Sequence, residues 1–221
     1  MVHLVSAGDL SASREKANGG DVEYLVFRFR SSALEDSGQP SRSSRCVATK
    51  LAPGAAVTAS HCLFATHAMI EIMCETPVNT AGPTKARFLR VVRHPTHDVA
   101  VFHFHPPDVC GSGTLAIAQP QDSISSYSIP IPPRTSGEVM QIQTVWPSIP
   151  RDQANNRETL DVRVDLCLRE GDSGVPLLTG GPQRETAISG LLIGGDPDCS
   201  GVQTFVRLEN LRDWLTASIS E

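Results

Sequence analysis

The stretch Gly171–Leu177, which reads GDSGVPL, is the most informative segment of this 221-residue chain. It places Ser173 between an acidic residue and a glycine, and an apolar run then continues to Leu178. Glycine and proline beside a short apolar run predict a tight turn that leads into a β-strand. We therefore expect Ser173 to lie on a turn at the start of a strand.

Similar short apolar runs, bounded by Gly, Pro, Ser and Asp, recur along the whole chain and predict an all-β protein. Sixteen prolines and seventeen glycines leave little room for long helices. Polar, proline-rich stretches lie at Ser31–Ser44 and Ile129–Ser136, and the prolines of Ile129–Arg134 predict a loop. Cys110–Ser126 is a candidate connection between two halves of the chain. The predicted strands are Val22–Arg30, Ala55–Ala59, Met69–Met73, Ala86–Val92, Val99–Phe104, Glu138–Val145, Leu160–Val164, Val175–Leu178, Thr186–Ile193 and Gln203–Val206.

One helix is predicted near the end of the sequence, over 208–219. Its apolar residues recur at spacings of three and four, which places them on one face. They are Leu208, Leu211, Trp214, Leu215 and Ile219.

Two further segments complete a pattern with Gly171–Leu177: Val57–Cys62 (VTASHC) and His97–Phe102 (HDVAVF). Together the three segments resemble the chymotrypsin/trypsin family of serine proteases, which reads T-A-A-H-C, D-I-A-L-L and G-D-S-G-G-P in this order. The order separates that family from subtilisins and from α/β-hydrolases. The hydrolase pattern G-x-S-x-G also fails, because Val175 holds the position of its last glycine. The resemblance extends from about Val22 to Ile219.

The resemblance implies an all-β fold of two antiparallel six-stranded β-barrels with a C-terminal helix. We expect an N-terminal segment over residues 1–21. A first barrel over 22–115 should carry His61 and Asp98, and a second barrel over 116–221 should carry Ser173.

The activity that the resemblance implies is that of a serine endopeptidase, with His61, Asp98 and Ser173 as the catalytic triad. A serine hydroxyl needs an adjacent base to become a nucleophile. His61 would accept its proton, and Asp98 would hold the tautomer of His61. The N–H groups of Gly171 and Ser173 would form the oxyanion hole.

The resemblance also assigns substrate binding to Asp165, to Ile193, Gly194 and Gly195 (the family has Ser-Trp-Gly there) and to Gly201. Asp165 precedes Cys167 by two residues, where trypsin-like members have the acid that selects Arg or Lys. However, the spacing from Cys167 to Ser173 is two residues longer than in that family. Counted back from Ser173, Cys167 itself falls on the pocket floor, so both alternatives remain open.

Asp172 is predicted to form a structural ion pair. In most members of the resembled family, proteolysis frees an Ile-Val N-terminus whose ammonium pairs with this acid. No Ile-Val-Gly-Gly occurs here, and Lys16–Gly20 is the nearest candidate for such a cleavage. The alternative is an internal partner, Arg169 or another arginine, because a buried acid without a cation is costly. We favour the internal partner, and therefore no activation by cleavage.

Six cysteines suit three disulfides and an oxidising compartment, although six reduced thiols would satisfy the count alone. The resemblance implies Cys46–Cys62 beside His61 and Cys167–Cys199 beside the pocket, which leaves Cys74 with Cys110. These pairs predict a secreted or periplasmic protein. The first residues, Met1–Asp9, show no export signal, since they lack a basic start and a long apolar run.

A net charge of −5 and 5% aromatic residues exclude a basic, base-stacking surface for nucleic acid. No apolar run is long enough for a membrane span. No C-x-x-C pair provides a zinc knuckle, and His103 and His105 fit a surface or interface strand face better than a metal site. We expect a monomer without metal or cofactor, acting on protein or peptide substrates and open to protein protease inhibitors.

A second function is compatible with the same pattern: an inactive binding protein on a protease fold. Ile193, Val175 and the longer Cys167–Ser173 spacing motivate it, because each departs from the family at the site.

Overall fold

Two barrels of β-strands and a C-terminal helix make up the computed structural model. It describes residues 26–34, 40–63, 69–73, 84–107, 109, 114–119, 126–132, 141–147, 158–164, 168–179, 186–195 and 201–220. The elements are β1 Val26–Leu34, β2 Pro40–Ala52, β3 Ala55–Thr58, β4 Met69–Met73, β5 Thr84–Arg93, β6 Ala100–His105, β7 Ala116–Ile117, β8 Tyr127–Ile131, β9 Gln141–Pro147, β10 Thr159–Arg163, β11 Pro176–Thr179, β12 Ala187–Gly195, β13 Val202–Arg207 and α1 Arg212–Ser220.

The first barrel is closed and antiparallel, with the strand order β1-β2-β3-β6-β5-β4. Each of its six strands is hydrogen-bonded to a neighbour on both sides. Closure of this kind removes the unpaired edges that would otherwise invite association with other chains.

The second barrel has the strand order β8-β9-β10-β13-β12-β11 and closes through antiparallel pairing of β11 with β8 and β12. The short strand β7 pairs in parallel with β12 as an addition to the barrel. The six-stranded double barrel and the C-terminal helix confirm the predicted fold class.

Side chains on β3 and β6 alternate between two hydrophobic cores, as the period of two in a β-strand requires. Phe102 and Phe104 pack inside the first barrel, where they contact the rings of Phe29 and Phe27 at centroid distances of 5.2 and 6.2 Å. Val57 on β3 and Val101 on β6 point to the opposite face and belong to the core that contains the interior of the second barrel. The two strands are therefore buried on both faces and lie at the junction of the barrels.

Two stretches that the sequence analysis described as polar and proline-rich contain strand residues, and the loop predicted at Ile129–Arg134 is wrong for its first residues. Ser31–Ser44 contains the ends of the β1–β2 hairpin, in which Ser31 is paired with Ser44 and is fully buried. Ile129–Ser136 begins within β8, which pairs with β11 only at Ser128 and can therefore accommodate Pro130. In both cases the pairing with neighbouring strands decided the conformation against the local preference of serine and proline.

The predicted helix over 208–219 is a 3₁₀ turn at Glu209–Leu211 that continues as α1. Leu208, Leu211 and Leu215 are buried against the second core, as the apolar spacing predicts. Residues 22–25 and 138–140 of two predicted strands lie outside the described residues.

Candidate active site

His61 lies in a 3₁₀ turn, Ser60–Cys62, directly after β3. A disulfide joins Cys62 to Cys46 on β2, with their Cα atoms 6.1 Å apart. Arg93, at the end of β5, donates hydrogen bonds to the carbonyls of Ser60 and Leu63, both at 2.6 Å. Covalent and hydrogen-bonded links therefore fix both ends of the turn that carries His61.

Asp98 binds His61 at two points. Its Oδ1 accepts the backbone N–H of His61 at 2.9 Å, and its Oδ2 lies 2.6 Å from His61 Nδ1. Bonding through Nδ1 leaves Nε2, the other ring nitrogen, free to act as a base. The two-point contact thus fixes both the position of the ring and its tautomer.

The charges of this pair alter the pKa values of both groups. The hydrogen bond that the His61 ring donates to Asp98 raises the pKa of His61, and this effect exceeds the opposing effect of burial. Burial acts to raise the pKa of Asp98, but its hydrogen bonds with His61 and its attraction to that ring hold it below its usual range. Each partner therefore favours the charged form of the other.

The segment before Asp98 is supported by the C-terminal helix. The ring of His94 lies edge-on to Trp214 of α1, with centroids 4.9 Å apart, and its other neighbour is the ring of His97 at 4.6 Å. Burial and the positive charge that His97 can carry lower the pKa of His94. The backbone N–H of His94 donates to Val99 at 2.9 Å, which closes the bend that presents Asp98.

Ser173 lies in a turn that the first barrel holds from one side and β12 from the other. Its carbonyl accepts the N–H of Val47 on β2 at 2.8 Å, and the next N–H, from Gly174, donates to Leu192 at 2.8 Å. Gly174 has a φ of +88°, and a Cβ there would collide with the carbonyl of Val47 and the hydroxyl of Thr58. Only glycine fits this close approach between the barrels.

Within the described part of the chain, the N–H groups of Gly171 and Ser173 donate to no protein acceptor. The N–H groups around them are bonded: Asp172 donates to Arg169 at 2.9 Å and Val175 to Asp172 at 3.0 Å. The turn therefore combines anchored peptide units with two N–H groups that have no acceptor among the described residues, and available donors are one requirement for an oxyanion hole.

Asp172 is fully buried and pairs with Arg28 of β1, whose guanidinium lies 2.7 Å from Asp172 Oδ1. The other carboxylate oxygen accepts the backbone N–H of Arg169 at 2.9 Å. Arg169, which the sequence analysis named as one candidate partner, therefore contributes its backbone N–H, and a more distant arginine supplies the charge.

The predicted substrate strand is the end of β12. Ile193 packs against both hydrophobic cores, whereas a Cβ at Gly194 would meet open space. Gly195 is in close contact with the side chain of Gln203 on β13, and Gly201 precedes β13 with a φ of +99°. Asp165 and the remaining cysteines lie outside the described residues; these are Cys74, Cys110, Cys167 and Cys199.

The sequence departures near Ser173 have local structural solutions. The resembled family has a second glycine where this chain has Val175. The Val175 side chain is fully buried and packs in the second core. In the longer segment before Ser173, Leu168 is buried, while Arg169 and Glu170 are exposed in a turn. Of the three residues described between Cys167 and Gly171, two therefore lie at the surface.

Cys46, His61 and Cys62 place potential metal-ligand atoms within 4.8 Å of one another. Both sulfurs are used in the disulfide, so neither is available as a thiolate ligand. His103 has its Nε2 2.9 Å from the carbonyl of Ser218 in α1 and therefore belongs to an interface between β6 and the helix.

Sequence reasoning missed Arg28 and Arg93. Arg28 follows Phe27 in a strand with alternating apolar and polar residues, a pattern that places it on a solvent face. Instead the second barrel covers that face, and Arg28 is 8% exposed. No local signal in the sequence shows which strand faces are covered by a distant part of the chain.

Neither a scan against protein-family models nor a search of curated proteins finds a match. Solved structures do match, among them one titled "Structure of GrC", a granzyme. The two chains are 13% identical, with a TM-score of 0.65, and the match covers 93% of this chain and 99% of that one. The likeness shows that this chain has a chymotrypsin-like fold.

Proposed function

We propose that this chain is a serine endopeptidase with His61, Asp98 and Ser173 as its catalytic residues. The observation that carries the proposal is the two-point contact of Asp98 with His61, at 2.9 and 2.6 Å. The sulfur of Cys62, the residue next to His61, lies 4.0 Å from the Ser173 carbonyl. The N–H groups of Gly171 and Ser173, which have no acceptor among the described residues, support it further, because such donors can stabilise the charge that develops on a substrate carbonyl.

In the proposed reaction His61 Nε2 takes the proton of Ser173 Oγ as the oxygen attacks the substrate carbonyl. The negative charge that develops on the carbonyl oxygen is stabilised by the N–H groups of Gly171 and Ser173. His61 then gives the proton to the leaving amine, and an acyl group remains on Ser173. Water attacks this ester with His61 as the base and regenerates the free hydroxyl.

The hydroxyl of Ser173 and the ring of His61 share no hydrogen bond in the described residues. Such contacts commonly tighten only when substrate is bound. The proposal therefore places their closest approach in the substrate complex.

A fluorophosphonate probe tests the proposal, because it reacts with an activated serine. The chain should be labelled and should hydrolyse peptides, and Ser173→Ala should abolish both. Ser220→Ala is the matched control, since Ser220 lies on the exposed end of α1 and bonds only within that helix. A wild-type chain that is neither labelled nor active would favour the inactive binding protein.

The proposed preference is for Arg or Lys before the cleaved bond, with Asp165 as the acid in the pocket. A peptide library together with Asp165→Asn tests this part separately. Cleavage after aromatic or small residues would contradict the role of Asp165 without affecting the proposed triad.

For the location of the protein, we propose an oxidising compartment, which the Cys46–Cys62 disulfide supports. Within the described residues no helix is long and apolar enough to cross a membrane.

A further inference from the structure

We propose that Arg28 is a positioning residue that holds the turn before Ser173 in its catalytic conformation. The inference rests on the proposed function, since it concerns the same oxyanion hole. Arg28 touches neither the reacting atoms nor the proposed substrate strand in the described contacts. It would act through Gly171 and Asp172.

The contacts of the guanidinium group carry the argument. One terminal nitrogen donates to the carbonyl of Gly171 at 2.8 Å, and the other donates to Asp172 Oδ1 at 2.7 Å. Its Nε and the second terminal nitrogen also donate to the carbonyl of Pro132, at 3.2 and 3.0 Å. Because the guanidinium is planar and rigid, these contacts fix two consecutive residues of the turn relative to the end of β8.

The residue that Arg28 fixes lies between the two oxyanion donors. Asp172 separates Gly171 from Ser173, and its own carbonyl accepts the N–H of Val175. A trans peptide unit is planar, so anchoring the carbonyl of Asp172 also sets the direction of the Ser173 N–H. Without the guanidinium, the buried carboxylate of Asp172 would lose the cation at 2.7 Å, and removing one partner of a buried ion pair is strongly destabilising. The turn would then reorganise to bring the carboxylate nearer to water.

The position of Arg28 on β1 makes the arrangement rigid. Arg28 is paired with Val47 on one neighbouring strand and with Met73 on the other, so its backbone is held on both sides. Val47 in turn donates to the carbonyl of Ser173. Arg28 and Val47, which are paired on neighbouring strands of the first barrel, therefore both form hydrogen bonds with the turn that carries Ser173.

A consequence concerns activation. Arg28, a side chain within a closed barrel, places a cation 2.7 Å from Asp172 without the α-amino group of a cleaved chain. The turn should therefore reach its catalytic conformation without cleavage after Lys16 or at any other point.

The experiment compares Arg28→Met, Arg28→Lys and Arg207→Met in the full chain. Arg207 is the matched control, because it is also 8% exposed and forms a buried pair with Glu209 at 3.0 Å, but it does not contact the turn. Arg28→Met should lower kcat by about 10²-fold or more, the effect of losing an oxyanion donor, with a much smaller change in KM. Arg28→Lys should recover part of the loss, and Arg207→Met should leave kcat unchanged.

Amide hydrogen exchange provides a readout that does not need activity. Exchange of the Asp172 and Val175 amides should be faster in Arg28→Met by at least about tenfold and unchanged in Arg207→Met. If Arg28→Met does not fold, Arg28→Lys carries both measurements. Acetylation of the α-amino group of the wild-type chain should leave its labelling rate unaltered.

The outcomes separate the two proposals. Wild-type kcat together with unaltered exchange in Arg28→Met would overturn the role of Arg28, and so would activity that appears only after cleavage and is lost when the new amino group is blocked. If the fluorophosphonate never labels the wild-type chain but amide exchange in the turn still depends on Arg28, the proposed function is overturned. The role of Arg28 in positioning the turn is then supported.

Discussion

Replacing Asp98 by Asn should lower kcat by about 10⁴-fold, or about 5.4 kcal/mol of transition-state stabilisation. The magnitude follows from the two contacts of the carboxylate. An amide oxygen can still accept the backbone N–H of His61, so the position of the turn is kept. The amide nitrogen, however, can only donate to Nδ1. The ring must then carry its proton on Nε2, the atom that should receive the proton of Ser173.

The same substitution should move the pH dependence of the residual activity. The reaction needs neutral His61, so activity rises as pH increases through the pKa of this residue. Because Asp98 raises that pKa, the acid limb of the wild-type profile should lie above the ordinary value of about 6.5. In Asp98→Asn the raising effects are lost and the opposing effect of burial remains, so the limb should move to lower pH.

The assay is the rate of fluorophosphonate labelling of Ser173 between about pH 5 and pH 9, a range that brackets the titration of a histidine. Asp161→Asn is the control, because Asp161 accepts a hydrogen bond from Thr204 on the opposite strand at 3.0 Å and lies outside the proposed site. Labelling of Asp98→Asn at the wild-type rate, with the same acid limb, would refute the role derived for the Asp98–His61 contact.

The remaining predictions concern stability and can be measured by urea and thermal unfolding. Replacing Cys46 and Cys62 together by Ala should lower the free energy of unfolding by about 3 kcal/mol, since the disulfide closes a loop with a sequence separation of 16. The melting temperature should then fall by about 6–12 °C. An unchanged melting temperature would count against the disulfide. Gly174→Ala should destabilise the fold by about 3 kcal/mol or more, because the new methyl group collides with backbone atoms at a residue with positive φ. Gly194→Ala should change the free energy of unfolding by no more than about 0.5 kcal/mol, because a Cβ there meets no atom within 4 Å. Equal effects of the two substitutions would contradict the described geometry. Gln203→Leu should leave stability unchanged or raise it by about 1 kcal/mol, since the buried side-chain nitrogen of Gln203 has no hydrogen-bond partner among the described residues. A clear loss of stability would show that the amide is bonded.

The sequence was sufficient for the class of fold and for the order of the segments around His61, Asp98 and Ser173. Strands in which alternate residues are buried produce an alternating apolar pattern in the sequence, and the C-terminal helix produces apolar residues at spacings of three and four. The sequence was insufficient where a conformation depends on a partner far along the chain. Ser31 is a strand residue because of its partner Ser44 across the hairpin, and Arg28 is buried because a turn 144 residues later covers it.

The sharing of β3 and β6 between two hydrophobic cores has a consequence for how the molecule melts. Since Val57 and Val101 belong to the second core while Phe102 and Phe104 fill the first, neither barrel can lose its interior without exposing part of the other. Unfolding should therefore be a single cooperative transition, with equal calorimetric and van't Hoff enthalpies. Because the proposed site lies at this junction, loss of activity on heating should coincide with loss of the whole fold.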